Sequence, residues 1–146
     1  MDQGRGHVVN LSSIYGNSAV AGSAVYGATK AAVNMLSESL RLESQGKIKV
    51  TVVRPTGVPG TNLGQGVVNP EAIRGILGAE YDSYMATMGD LAAGTGDQEL
   101  GSSDSMSYAA LDPAWLVREI LHAIDQPWGV VISDITVRAA NDRYVI

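Results

Sequence analysis

The chain has 146 residues, of which 45% are hydrophobic and 17% charged, so it is long and apolar enough to bury a core as a single folded domain. A formal net charge of −5 without a basic cluster excludes a surface that neutralises nucleic-acid phosphates. The absence of cysteine excludes disulfides and thiolate metal sites, and the two histidines, His7 and His122, are too far apart for a helical metal pair. We expect neither a metal site nor a nucleic-acid partner.

The N-terminal residues, MDQGRGHVVN, lack the apolar run of a signal peptide. No other stretch of the sequence approaches the ~18 continuous apolar residues that a membrane span requires. We therefore expect a cytoplasmic protein with no membrane partner.

Three segments predict a strand, a helix and a second strand. Residues 7–13 (HVVNLSS) begin with a β-branched run and end in small polar residues, which is typical of a buried parallel strand. From residue 25 to residue 43, apolar residues recur every four positions and predict an amphipathic helix. These residues are Ala28, Ala32, Leu36 and Leu40. Residues 48–55 (IKVTVVRP) run to a proline and complete a βαβ unit, which places the two strands parallel.

The rest of the chain predicts a long connection followed by one more helix and strand. Residues 56–111 contain short helical pieces near 70–77 and 80–88 and a stretch rich in Gly, Ser and Asp at 89–107. A connection of this length is typical of a binding loop or lid, or else of a disordered segment. Residues 112–127 predict a helix, with Asp112 as its N-cap. Residues 129–137 (GVVISDITV) predict a third strand.

Tyr26 and Lys30 are spaced so that both side chains lie on one face of the predicted helix, one turn apart. A lysine ammonium beside a phenol stabilises the phenolate, which prepares the tyrosine to exchange a proton with an alcohol oxygen. By itself this pattern is common on solvated helix faces. Ser13, however, lies at the end of the first strand, and residues 55–58 follow the second. In open parallel sheets this edge holds the ligand, so three segments converge on one predicted site.

The stretches VVNLSSIYG, YGATKAAVNMLSESLRLE and IKVTVVRPTGV together resemble the second half of a short-chain dehydrogenase/reductase of the single-domain Ser-Tyr-Lys type. The resemblance covers residues 4–63 closely, and residues 112–137 follow in the family's order. It implies an α/β fold, namely the C-terminal half of a doubly wound, Rossmann-like sheet with about three parallel strands, two main helices and a long loop. Residues 1–146 would then form part of an NAD(P)-binding domain, with residues 56–111 as its substrate-binding lid.

The resemblance implies an NAD(P)-dependent oxidoreductase that interconverts an alcohol and a ketone. It assigns proton transfer to Tyr26, binding of the cofactor ribose and support of the tyrosine to Lys30, and orientation of the substrate oxygen to Ser13. The implied cofactor-binding residues also include the backbone that flanks the nicotinamide and a threonine that contacts its carboxamide. These are Pro55, Thr56, Gly57, Val58 and Thr61. Thr61 stands one residue later than the family's usual spacing.

The glycine-rich turn that holds the pyrophosphate in this family is missing from the sequence. TGVPGT (56–61) follows the second predicted strand and leads into a proline-containing loop, and GTGDQELG (94–101) follows no strand. We therefore expect a truncated reductase that is inactive alone, with the residues that distinguish NAD from NADP outside these 146. The family's long helix, residues 25–44 here, commonly forms a subunit interface, so the resemblance also implies a homo-oligomer.

Two alternatives remain open from the sequence. Sugar-nucleotide epimerases and dehydratases also use a Tyr-x-x-x-Lys pair, although the thirteen-residue spacing from Ser13 to Tyr26 and the lack of a larger C-terminal domain disfavour them. The other alternative is a module that has no enzymatic activity and mediates association through residues 25–44.

Overall fold

The computed structural model describes residues 4–144 and shows a three-stranded parallel sheet with helices around it. The strands are β1 (Gly6–Leu11), β2 (Ile48–Pro55) and β3 (Asp134–Val137), in the order β1-β2-β3, and both pairs are parallel. The helices of the described chain are α1 (Ala24–Glu43), α2 (Glu71–Leu77), α3 (Tyr81–Ala93), α4 (Gln98–Gly101) and α5 (Pro113–Ile124). The predicted α/β class and parallel sheet are confirmed.

The central strand β2 forms the core of the sheet. Val50, Thr51, Val52 and Val53 are completely buried. Consecutive side chains of a strand point to opposite faces, so both faces of β2 are covered. The helices α1 and α5 both pack against this strand, which explains why its sequence is a continuous β-branched run rather than an alternating one.

Two strand boundaries differ from the sequence-based prediction. β1 ends at Leu11 rather than at residue 13, because Ser13 already caps a 3₁₀ turn over Ile14–Gly16. β3 begins at Asp134 rather than at residue 129. A turn precedes it, in which the Val130 amide donates to the Pro127 carbonyl.

The face of α1 that packs on the sheet is not the predicted apolar face. Ala28, Ala32 and Leu36 are exposed. The helix instead buries Ser37, whose hydroxyl donates to the Val33 carbonyl and accepts a hydrogen bond from the Asn10 amide at 2.9 Å. The polar Asn10 on β1 needs such a partner when it is covered, and a small residue at position 37 lets the helix come close. Leu40, the fourth residue of the predicted apolar set, is half-buried, so this face is exposed along most of the helix but not at its end.

The prediction of a mainly irregular connection over residues 56–111 is wrong in its later part. The helix near residue 80 continues as α3 to Ala93, and α4 forms where the Gly/Ser/Asp-rich composition indicated a loop. Gly94 ends α3 with a φ of 70°, and its amide donates to the carbonyls of Asp90 and Leu91. Glycine at this position enters the left-handed region without strain, so its presence marks a helix end rather than a loop. The chain thus has a third substantial helix besides the two predicted.

The last helix begins as predicted. The Asp112 carboxylate accepts a hydrogen bond from the Ala114 amide at 2.7 Å and caps α5. Just before it, Tyr108 and Leu111 pack with Ala139 in a small apolar cluster beyond the end of β3. Across residues 4–144, no helix is both long and apolar enough to cross a membrane.

Candidate active site

The first turns of α1 place Tyr26 and Lys30 beside the end of β1. The Lys30 ammonium donates to the Leu11 carbonyl at 3.0 Å, and its Nζ lies 5.6 Å from the centre of the Tyr26 ring. The four-residue spacing thus brings the ammonium next to the phenol. Tyr26 remains partly exposed, which leaves it accessible to a ligand.

Ser13 is buried directly after β1, in the predicted position at the carboxyl edge of the sheet. Its Oγ accepts a hydrogen bond from the Tyr15 amide at 3.2 Å. The hydroxyl proton of Ser13 therefore stays available to donate. The neighbouring Ser12 donates to the Lys30 carbonyl at 3.2 Å, which ties the strand end to the backbone of α1.

Two glycines let the turn after Ser13 touch the helix that carries Tyr26 and Lys30. A Cβ at Gly27 would lie 2.8 Å from the Tyr15 carbonyl oxygen, and a Cβ at Gly16 would lie 3.0 Å from the Lys30 backbone. Such distances are shorter than ordinary van der Waals contact, so a larger residue forces the turn and the helix apart. The relative position of the three candidate catalytic residues is set by this contact.

The segment after β2 presents two threonines in different situations. The Thr56 amide donates to the Val137 carbonyl at 3.3 Å, while its side-chain hydroxyl is buried without a partner within residues 4–144. Thr61 is exposed, and its hydroxyl donates to the Val58 carbonyl at 2.9 Å. Of the two threonines, Thr56 is therefore the one whose hydroxyl still has its hydrogen-bonding capacity unused. A buried hydroxyl in this state destabilises the fold unless a ligand supplies a partner.

A group of tyrosines that the sequence did not connect adjoins this segment. Tyr144 packs so closely on Gly57 that any Cβ there would overlap its ring. Its hydroxyl lies 2.9 Å from that of Tyr84 on α3, and its ring centre lies 6.5 Å from that of Tyr15. These residues come from three distant parts of the chain, and no spacing in the sequence relates them.

The C-terminal segment is held by charged pairs. Arg138 binds the buried Asp142 carboxylate at 2.6 Å, and Arg143 donates to Glu80 at 2.7 Å. The one signal for this arrangement in the sequence is the four-residue spacing from Arg138 to Asp142. The two pairs position Tyr144 against the end of β2.

Burial, and secondarily the nearby Asp142 carboxylate, raises the pKa of Tyr15 to about 12. Burial and the Tyr84 hydroxyl likewise raise the pKa of Tyr144. Both phenols therefore keep their protons at neutral pH and can donate a hydrogen bond. In residues 4–144, no three acidic or histidine side chains are grouped as a metal ion would require.

A sequence model described as short chain dehydrogenase matches residues 1–72. An uncharacterized oxidoreductase of Listeria innocua is 31% identical over 135 residues, which are 92% of this chain and 45% of that protein. A putative oxidoreductase of Mycobacterium tuberculosis, SadH, is 45% identical over 58 residues, which are 38% of this chain and 21% of that protein. The chain spans less than half the length of these curated relatives.

Solved structures share the fold. A short-chain dehydrogenase from Streptomyces avermitilis matches with a TM-score of 0.57 and 30% identity, covering 93% of this chain and 43% of that one. The closed form of a serine dehydrogenase complexed with NADP⁺ matches with a TM-score of 0.64 and 24% identity, covering 93% and 45%. The matched family model, the oxidoreductase relatives and the shared fold lead to one conclusion: this chain is part of a short-chain dehydrogenase/reductase and belongs to that family.

Proposed function

We propose that this chain supplies the catalytic residues of an NAD(P)-dependent oxidoreductase that interconverts an alcohol and a ketone. The observation that carries the proposal is the convergence of Ser13, Tyr26 and Lys30 at the carboxyl edge of the sheet, with the Lys30 ammonium beside the Tyr26 ring. Two of these residues carry an O–H and the third a fixed positive charge. That set suits the transfer of a proton to or from an alcohol oxygen.

Each residue has a separate role in the proposal. Tyr26 exchanges the proton at its phenolic oxygen, and Lys30 stabilises the phenolate that results. Ser13 uses its free O–H to orient the substrate oxygen, because its acceptor capacity is partly taken by the Tyr15 amide. The turn packed on Gly27 keeps these groups in register during the reaction.

The residues after β2 fit the nicotinamide end of a dinucleotide. The buried Thr56 hydroxyl lacks a partner in the described chain, and a carboxamide would provide one. We propose that Thr56 and the backbone of Pro55, Gly57 and Val58 flank the nicotinamide, while Lys30 binds its ribose. Thr61 is a less suitable partner for the carboxamide, because its hydroxyl already donates to the Val58 carbonyl. When bound, NAD or NADP supplies the hydride acceptor or donor; nothing in these residues distinguishes the two.

The test of this proposal is Tyr26→Phe in the protein expressed from the complete reading frame that contains these residues. The substitution removes the proton donor and keeps the ring. We expect kcat to fall at least about tenfold, a barrier increase of about 1.4 kcal/mol or more, with cofactor affinity little changed. Tyr81→Phe is the matched control, because Tyr81 stacks on Arg74 at 4.0 Å, on the segment of α2 and α3. A Tyr26→Phe variant with more than about a tenth of wild-type turnover contradicts the proposal.

We further propose that the 146-residue chain alone is inactive and associates through α1. The pyrophosphate-binding turn is not among these residues, so NADH and NADPH should bind more weakly than about millimolar. The exposed stripe of Ala28, Ala32 and Leu36 offers an apolar surface to a second copy. Fluorescence titration and mass measurement in solution test both points, and Leu36→Glu should reduce the assembly to monomers. A monomer that binds either cofactor at micromolar concentration contradicts them.

A further inference from the structure

Tyr15 has a buried hydroxyl that the fold does not use. The residue is 7% exposed, and within residues 4–144 its phenolic oxygen contacts neither solvent nor a hydrogen-bond partner. A buried hydroxyl without a partner destabilises a folded protein, so its retention needs an explanation. Phenylalanine would fill the same space without this cost.

The position of Tyr15 connects the hydroxyl to the candidate active site. Its amide donates to Ser13 Oγ, and its carbonyl lies under Gly27, the residue after Tyr26. The backbone of Tyr15 is thus fixed beside the groups proposed to hold the reacting oxygen, and its ring extends from that position into the interior. The phenol retains its proton, because burial raises its pKa to about 12.

Tyr144 covers the other side of Tyr15. The two ring planes are tilted by 59°, with centres 6.5 Å apart, and the Tyr144 ring also rests on Gly57. For a ligand to reach the Tyr15 hydroxyl, which is closed off from solvent, the Tyr144 side chain would have to move aside. The space that it leaves is bounded by aromatic rings and a glycine, which suits a flat aryl group.

The charges near this space favour a neutral ligand. The buried Asp142 carboxylate beside the phenol is paired with Arg138 at 2.6 Å. This pairing balances the nearby charge, so the position offers little attraction for an anion.

We propose that Tyr15 is a substrate-binding residue whose hydroxyl donates a hydrogen bond to a second, neutral oxygen of an aryl ketone or alcohol, in a subsite that Tyr144 closes. This inference rests on the proposed function and adds a substrate class to it. It also accounts for the phenol at position 15, since the substrate provides the partner that residues 4–144 do not supply.

Two probes that differ in one oxygen test the proposal: methyl phenyl diketone and its monoketone, propiophenone. Their dissociation constants are measured by calorimetry on the protein from the complete reading frame, with saturating oxidised cofactor so that no turnover occurs. The wild type should bind the diketone about fivefold more tightly, the value of one neutral hydrogen bond. Tyr15→Phe should bind both probes equally, with unchanged affinity for propiophenone, and should unfold at no lower temperature than the wild type. Tyr144→Ala should strengthen diketone binding.

Three results contradict the proposal. They are a diketone preference that survives in Tyr15→Phe, a wild type without preference (including one that binds neither probe), and a loss of stability in Tyr15→Phe, which would show that the hydroxyl has a structural partner. Tyr108→Phe is a control of the same chemistry, because the Tyr108 hydroxyl accepts a hydrogen bond from the Asp112 amide and should affect stability rather than preference. The Tyr26→Phe kinetics separate this test from that of the proposed function, since they do not depend on Tyr15.

Discussion

Residues 6–61 and residues 62–111 are of comparable length but are held together in different ways. In the first region, β2 is fully buried and polar side chains pair across elements, as Asn10 does with Ser37. In the second, Leu77, Tyr108 and Leu111 are the buried apolar side chains, and its hydrogen bonds mostly join residues close in sequence. Long-range contacts hold a structure more firmly than local ones, so we expect the proposed catalytic edge to be rigid and the adjoining helices to open more readily.

Hydrogen exchange should show the largest difference between the two regions. We expect the amides of residues 95–107 to exchange at least about a hundredfold faster than those of β2, which corresponds to about 2.7 kcal/mol less free energy of opening. The physical reason is that the backbone of β2 bonds to strands on both sides, whereas α4 has only four residues. Equal protection in the two segments, measured by mass spectrometry, would show that the comparison is wrong.

Matched glycine-to-alanine substitutions should change the free energy of unfolding in opposite directions in the two regions. Gly27 and Gly89 both lie within helices, where alanine is intrinsically favoured by up to about 1 kcal/mol. A Cβ at Gly27 meets the Tyr15 carbonyl at 2.8 Å, whereas a Cβ at Gly89 meets nothing within 4 Å. Gly27→Ala should therefore lower the free energy of unfolding by about 1–3 kcal/mol, and Gly89→Ala should raise it slightly. Urea unfolding measures both free energies. A Gly27→Ala variant more stable than the wild type would show that the contact between Gly27 and the Tyr15 carbonyl is not a tight one.

The smallest expected effect is the pH dependence of stability that His7 on β1 contributes. His7 Nε2 lies 2.7 Å from Thr51 Oγ1, which itself donates to the Ile132 carbonyl. Burial, with a contribution from Lys49, lowers the pKa of His7 below its ordinary 6.5. As the pH falls, the unfolded chain therefore takes up the proton before the folded protein does. The contribution of His7 to the free energy of unfolding is fully present above pH 6.5. It decreases as the pH drops from 6.5 toward the folded-state pKa and is lost below that pKa.

The measurement for His7 is urea unfolding at pH of about 7.5 and about 5.5, on either side of the ordinary histidine pKa. His7→Gln retains a donor for Thr51 and cannot be protonated. Its stability should therefore decline less than that of the wild type between the two conditions. An identical decline in both proteins would assign the pH dependence to other groups.

The sequence predicts β2 and the Tyr26–Lys30 pair well, because each depends on short-range rules. A β-branched run ending at Pro55 and a four-residue spacing on a helix determine local geometry without reference to the rest of the chain. Asp112 as the cap of α5 belongs to the same class. Such features can be predicted from the sequence because the interacting groups are close together in it.

What the sequence does not predict depends on distant partners. The buried face of α1 carries Ser37, the partner of Asn10, whereas hydropathy alone favoured a different face. The contact of Tyr144 with Gly57 joins the last described residue to the end of β2. Composition also misled over residues 89–107, where small polar residues form helical turns that tertiary context permits.

The bond from Lys30 to the Leu11 carbonyl has a consequence for how this protein varies through evolution. The acceptor is a main-chain atom, which every amino acid supplies, and the Leu11 side chain is 54% exposed. Position 11 therefore tolerates exchange among many residues without loss of the lysine's anchor. A comparison of homologous sequences would record that position as unimportant, although its backbone holds one of the proposed catalytic residues. Mutational scanning of position 11 would show the same tolerance, whereas a change in the path of the strand would not be tolerated.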